Sequence, residues 1–128
     1  MAELRHKLLS EKVITAAHQV HNQLGCGFLE KVYKNALSVE LKEAGVKCDL
    51  EVPLRVFYRN EIVGEYFADM IIDNKILVEV KAVSRPEPVH EVQLVNYLKA
   101  TGITVGLLIN FSRSVEIKRR IFGYDATD

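Results

Sequence analysis

Three β-rich runs follow one another between Leu50 and Val83 with almost nothing between them: LEVPLRVFY, IVGEYFADMII and KILVEVKAV, separated by the polar breaks RNE and DN. Runs this close together can pair only as antiparallel neighbours, because a parallel crossover needs a dozen or more residues. This block fixes the centre of the fold, and the rest of the chain must pack around it.

Two periodic stretches precede the block. Val13, Ala17, Val20 and Leu24 recur at helical spacing, with Ser10 as the expected N-cap and Gly25 as the stop, which predicts a helix over roughly 11–24. Leu29, Val32, Tyr33, Ala36, Leu37 and Leu41 predict a second helix ending before Gly45, with the GCG at 25–27 as the corner between them. After the break SRPEP, residues Val89 to Leu98 predict a third helix that starts just past Pro88 and closes at Thr101 and Gly102. TVGLLINF then reads as a strand buried on both faces, and VEIKRRIF as a short edge strand. The order α-α-β-β-β-α-β-β suits an α/β fold with a mixed central sheet flanked by helices. At 128 residues the chain has the size of one domain, expected to span 1–128.

Lys and Arg number 17, equal to Asp and Glu, so the formal charge is zero and there is no overall attraction to polyanions. Arg113, Lys118, Arg119 and Arg120 still form a local basic cluster, readable either as a patch for phosphates or as a solvated face of a terminal strand. The stretch MAELRHKLLSEK is charged throughout, and no run is long and apolar enough for a membrane span, so a cytoplasmic location without membrane attachment is the expectation. Cys26 and Cys48 lack a CxxC spacing and read as free thiols. His18 and His21 share a helix face but have no further ligand at zinc spacing. Phosphate-binding glycine loops, dinucleotide fingerprints and Ser–His–Asp arrangements are absent from the sequence.

The chemistry lies inside the β block. Asp69 on the second run, and Glu79 and Lys81 on the third, are charges embedded in otherwise apolar segments. Burying carboxylates is costly, and a hard divalent cation is one of the few partners that makes a pair of them favourable. Lys81 lies two residues beyond Glu79 and so shares its face. An ammonium there can activate a water and stabilise a phosphoryl oxygen. The bland alternative, a structural Glu–Lys ion pair, leaves Asp69 unexplained.

The register of the second and third runs decides whether this site can exist. An ideal two-residue loop at Asp73-Asn74 would pair Ile72 with Lys75 and put Asp69 and Glu79 on opposite faces. A shared ion requires an odd offset: a three-residue loop Asp73-Asn74-Lys75, with Asn74 or Lys75 left-handed, or a β-bulge near the site.

An Asp followed on the next strand by Glu79-Val80-Lys81 resembles the PD-(D/E)XK signature, here without the Pro, since Phe67 and Ala68 precede Asp69. Gly27-Phe28-Leu29-Glu30-Lys31-Val32-Tyr33 matches the Gly-x-x-Glu-x-x-Tyr motif of the bacterial GxxExxY protein family, and the resemblance runs from the first helix through the INF strand. It implies a restriction-endonuclease-like fold and a nuclease activity on DNA or RNA. It also implies Mg²⁺ or Mn²⁺, one ion or two, held by Asp69, Glu79 and the Val80 carbonyl. Glu30 would act as a direct ligand or support a second ion or the attacking water; otherwise it is a favourable acid in a first helical turn. Gln93 and Tyr97 resemble the Gln-x-x-x-Tyr pair of exonuclease-like branches, which would place the nucleic-acid strand, with His90 at the margin. Their plain reading is a solvent-facing Gln beside a half-buried Tyr. A rival reading is a catalytically weak nucleic-acid-binding module on the same fold, favoured by the zero net charge. A third gives the sheet edge a protein-interaction role, as in a homodimer.

Overall fold

The computed structural model describes residues 6–123; residues 1–5, part of the charged N-terminal stretch, and 124–128, the acidic end, lie outside it. The order of elements is α1 (Lys7–Leu24), α2 (Glu30–Glu43), β1 (Cys48–Tyr58), β2 (Glu61–Ile72), β3 (Ile76–Lys81), α3 (Pro88–Thr101), β4 (Val105–Phe111) and β5 (Val115–Ile121). This is the predicted α-α-β-β-β-α-β-β order. The five strands lie side by side in chain order. Only β3 and β4 run parallel, joined through α3, and the other pairs are antiparallel. Interior strand β4 is buried along its whole length, whereas β5 forms an edge. Among the described residues no helix is long and apolar enough to cross a membrane.

Helix α1 begins earlier than expected. Leu9 extends its apolar stripe into the core, so the helix runs back to Lys7, capped by left-handed His6. Ser10 is therefore a buried residue within the helix and not its N-cap, and its Oγ has no hydrogen-bond partner among the described residues. Gly25 does end α1, at φ 70 with its N–H on the His21 carbonyl. Strand β3 stops at Lys81, two residues short of the predicted run. Beyond it the Asn110 side chain takes the place of a strand neighbour, accepting the Val83 N–H at 2.9 Å and donating to the Val83 carbonyl at 2.8 Å.

The core has two parts, one on each face of the sheet. Helices α1 and α2 cover Met70, Ile72, Val78, Val80, Leu107 and Ile109 on one side. On the other, α3 covers Leu54, Ala68, Ile71, Leu77 and Leu108. Strand alternation predicts that Ala68 and Met70 share a face. They do not. Cys48 and Leu50 face the α1–α2 layer with Met70 and Ile72, whereas Val52 and Leu54 face the α3 layer with Ala68. The hairpin thus rotates about its axis at Glu51 and Asp69, where Glu51 adopts φ 49 and the β1–β2 pairing skips from Leu50↔Met70 to Val52↔Ala68. This bend lifts the outer half of the hairpin over α3, and Asp69 stands at the pivot.

Candidate metal-binding site

Strands β2 and β3 pair Ile72↔Ile76, Ile71↔Leu77 and Met70↔Val78. The loop is therefore the three residues Asp73, Asn74 and Lys75, giving the odd offset that a shared site requires. Asp73 and Asn74 both take left-handed conformations, φ 51 and 56, and Lys75 does not. Asp and Asn tolerate that region better than most residues. One step beyond the last pair, Asp69 stands opposite Glu79.

There the ladder gives way to side chains. Glu79 Oε2 accepts the Asp69 N–H at 2.8 Å, and Asp69 Oδ2 accepts the Val80 N–H at 2.8 Å. Each carboxylate spends one oxygen on the opposing backbone, and the second oxygen of Asp69 faces the Lys34 ammonium at 3.7 Å. Glu79 is only 5% exposed. Burial first, and then the Asp69 charge, push its carboxyl up to about 8, against the lowering effects of the Asp69 N–H and Lys81; Glu30 adds to the rise.

The remaining predicted residues surround this pair. Lys81 ends β3, half-buried, on the Glu79 side of the strand. Glu30 opens α2 in an exposed position, close enough for its charge to bear on Glu79. From α3, Gln93 donates Nε2–H to Tyr97 Oη at 2.8 Å. Tyr97 is buried, and its phenol is raised by desolvation and by the Glu79 charge, with the Gln93 bond opposing. His90 is used elsewhere: its Nδ1 accepts the Glu87 N–H in a capping box that starts α3. His21 donates Nε2–H to the Ser112 carbonyl at 2.8 Å, and His18 is exposed. Among the described residues no three His, Cys, Asp or Glu side chains form a ready ligand cluster. Glu30 does not join Asp69 and Glu79 in such a group.

The Gly-x-x-Glu-x-x-Tyr stretch works mainly as scaffold for this site. Tyr33 is fully buried and stacked on Phe111, with ring centroids 4.6 Å apart. Its hydroxyl donates to the Gly25 carbonyl at 2.6 Å and accepts the Phe28 N–H at 3.3 Å. Together with Gly27 at φ 109, these bonds set the corner that delivers Glu30 to the start of α2.

Two residues next to the site escape a sequence reading. Lys34, four residues after Glu30, is largely covered and links Glu51 at 3.0 Å to Asp69 at 3.7 Å. Burial would lower its pKa, but the Glu51 hydrogen bond and the Asp69 and Glu51 charges outweigh it and raise it. The i, i+4 spacing from Glu30 was a signal. Asn110 is 2% exposed and also donates to Glu116 Oε1 at 2.9 Å, tying the exit of β3 to β5. Its only trace in the sequence is a polar residue inside the apolar run GLLINF.

No curated protein matches the chain. Among solved structures it is similar to SSO0001, with a TM-score of 0.59 and 21% identity, over 75% of this chain and 52% of that one. The chain thus spans about half the length of SSO0001. It is also similar to an alkaline exonuclease (LHK-Exo) from Laribacter hongkongensis, with a TM-score of 0.54 and 13% identity, over 84% of this chain and 68% of that one. At these identities the likeness shows the fold. Residues 7–120 match the family model of the PD-(D/E)XK nuclease superfamily, a span that carries the strands bearing Asp69, Glu79 and Lys81. The chain belongs to the PD-(D/E)XK nuclease superfamily.

Proposed function

We propose that this protein is a Mg²⁺- or Mn²⁺-dependent nuclease of the GxxExxY type, hydrolysing phosphodiester bonds in DNA or RNA. The observation that carries the reading is the placement of Asp69 opposite Glu79, the two carboxylates held side by side by backbone N–H groups of the facing strands. The donor set fits a hard cation. Two carboxylates supply oxygen ligands, the Val80 carbonyl is the proposed third donor, and Mg²⁺ commonly leaves further positions to water and substrate. Glu79, holding a proton near neutrality, is a group whose charge a cation would restore.

When bound, the ion supplies Lewis-acid polarisation of the phosphoryl group and stabilises charge on the departing oxygen. Lys81 holds the attacking water by hydrogen bonding and faces the phosphoryl oxygen with its ammonium. Because Gln93 donates to Tyr97 Oη, the phenol's own proton is available for a phosphate oxygen, which positions the strand for in-line attack. Glu30, at the mouth of the site, steadies the water or a second ion. Water forms the new P–O bond, the scissile P–O bond breaks, and a proton passes to the leaving oxygen.

The test is cleavage of end-labelled DNA and RNA in Mn²⁺ by the wild type, Asp69→Asn and Lys81→Ala. Both variants should fold and lose at least about a hundredfold in rate, as removal of a transition-state contact implies. Full metal-dependent activity in either one contradicts the assignment.

A further inference from the structure

We propose that the groove between α3 and the outer half of the β1–β2 hairpin binds an unpaired nucleic-acid strand, its bases stacked on Phe57 and Tyr66. This deepens the nuclease reading and rests on it. The groove has a volume of about 830 Å³, within the range of roughly 300–1,000 Å³ typical of ligand sites. Phe57 and Tyr66 form its hairpin wall, and Val89 and Val92 its helix wall. These four are 60%, 46%, 60% and 56% exposed, and they stand together along one groove as an apolar surface of the kind that marks a binding site.

Three observations select the occupant. Arg55 and Lys99 are the charged residues lining the groove, and no Asp or Glu lines it, so its charge complements a polyanion. The groove also continues into the site: Gln93 and Tyr97 line it, and the Tyr66 and Tyr97 rings lie 5.6 Å apart. A strand lying on Tyr66 therefore passes the residues proposed to hold the scissile phosphate. Finally, the cations are few, and both are partly engaged, Arg55 with Glu65 at 3.8 Å and Lys99 over the Phe122 ring. With zero formal charge, phosphate contacts alone give weak binding, so base stacking must supply most of the affinity. Aromatic faces are open to unstacked bases and closed to those of a duplex, which assigns the single strand.

The experiment is fluorescence anisotropy in EDTA, where no cleavage occurs, with labelled oligothymidylate, oligouridylate and a duplex of equal length. Wild type, Phe57→Ala and Phe57→Trp are compared, with thermal melts to verify folding. The single strands should bind at least about tenfold more tightly than the duplex, and Phe57→Ala should lose about fivefold or more, the lower end of base–aromatic stacking. Phe57→Trp should retain binding. Equal affinity for duplex, or an unchanged Phe57→Ala, overturns the proposal. So does a dimer that dissociates in the Phe57→Ala protein without any oligonucleotide binding, since the groove would then seat a second copy. Single-strand binding by a wild type that cleaves nothing in Mn²⁺ supports the groove and contradicts the nuclease reading. Duplex cleavage without single-strand preference does the reverse.

Discussion

Asp69 and Glu79 face each other across β2 and β3, and each carboxylate accepts a backbone N–H from the other's strand at 2.8 Å. The acids thus complete a ladder that the strands themselves abandon at the hairpin's pivot. A stability signature follows from this arrangement.

In metal-free buffer, folded Glu79 keeps its proton up to about pH 8, while the unfolded chain releases it near 4.5. The folded state therefore binds more protons between those values, and stability falls as pH rises through that window, by on the order of a few kcal/mol. Glu79→Gln should match the wild-type Tm at pH 5 and exceed it at pH 8.5. Melts that stay parallel across this range would show that Glu79 titrates normally.

Lys34 places an ammonium 3.7 Å from Asp69 Oδ1. A divalent ion at Asp69 must contend with that charge. Lys34→Met, which keeps much of the apolar stem, should tighten Mn²⁺ binding by roughly threefold to tenfold, with the gain shrinking in high salt. Weaker binding in this variant would mean that Lys34 holds Asp69 in its working position.

Asn110 is a buried amide that satisfies both backbone groups of Val83 and reaches Glu116. Asn110→Ala leaves those groups without partners and should destabilise the fold by about 2–4 kcal/mol by chemical denaturation. The loss should be accompanied by faster amide exchange around Val83. A near-neutral effect would show that water replaces the amide readily.

Gly106 lets α3 approach β4: a Cβ there would lie 2.9 Å from Leu94 Cδ1 and 3.2 Å from Leu98 Cδ1. Gly106→Ala must displace the fully buried Leu94 and Leu98 side chains, costing about 1–3 kcal/mol. Because Gln93 adjoins Leu94, the same variant should reduce cleavage beyond what its stability loss explains.

Much of this was legible in the sequence. Hydrophobic period and turn residues carried the order of elements, and short breaks dictated the antiparallel block, because these are local signals. The two charges in apolar runs pointed to Asp69 and Glu79, and their need to share a face required an odd offset, by a three-residue loop or a β-bulge; the structure takes the loop, with Asp73 and Asn74 left-handed. What escaped is non-local. The rotation of the hairpin at Glu51 and Asp69 reflects helices packing on both sides of the sheet, which strand alternation does not encode. Lys34 and Asn110 look like ordinary helix and strand residues until the fold brings Glu51, Asp69 and Val83 to them. Tyr33 shows the converse: a motif residue whose work is to stack on Phe111 and hold the corner before Glu30.

The most direct test is a calorimetric titration of Mn²⁺ at pH 7 in two buffers of different ionisation enthalpy, for the wild type and Glu79→Gln. The Asp69–Glu79 site predicts saturable binding with release of about one proton per ion, since the cation displaces the proton that Glu79 holds. Glu79→Gln should bind at least about tenfold more weakly and release none. Binding that is unchanged by Glu79→Gln, or no binding at millimolar Mn²⁺, would contradict a metal site at these two carboxylates.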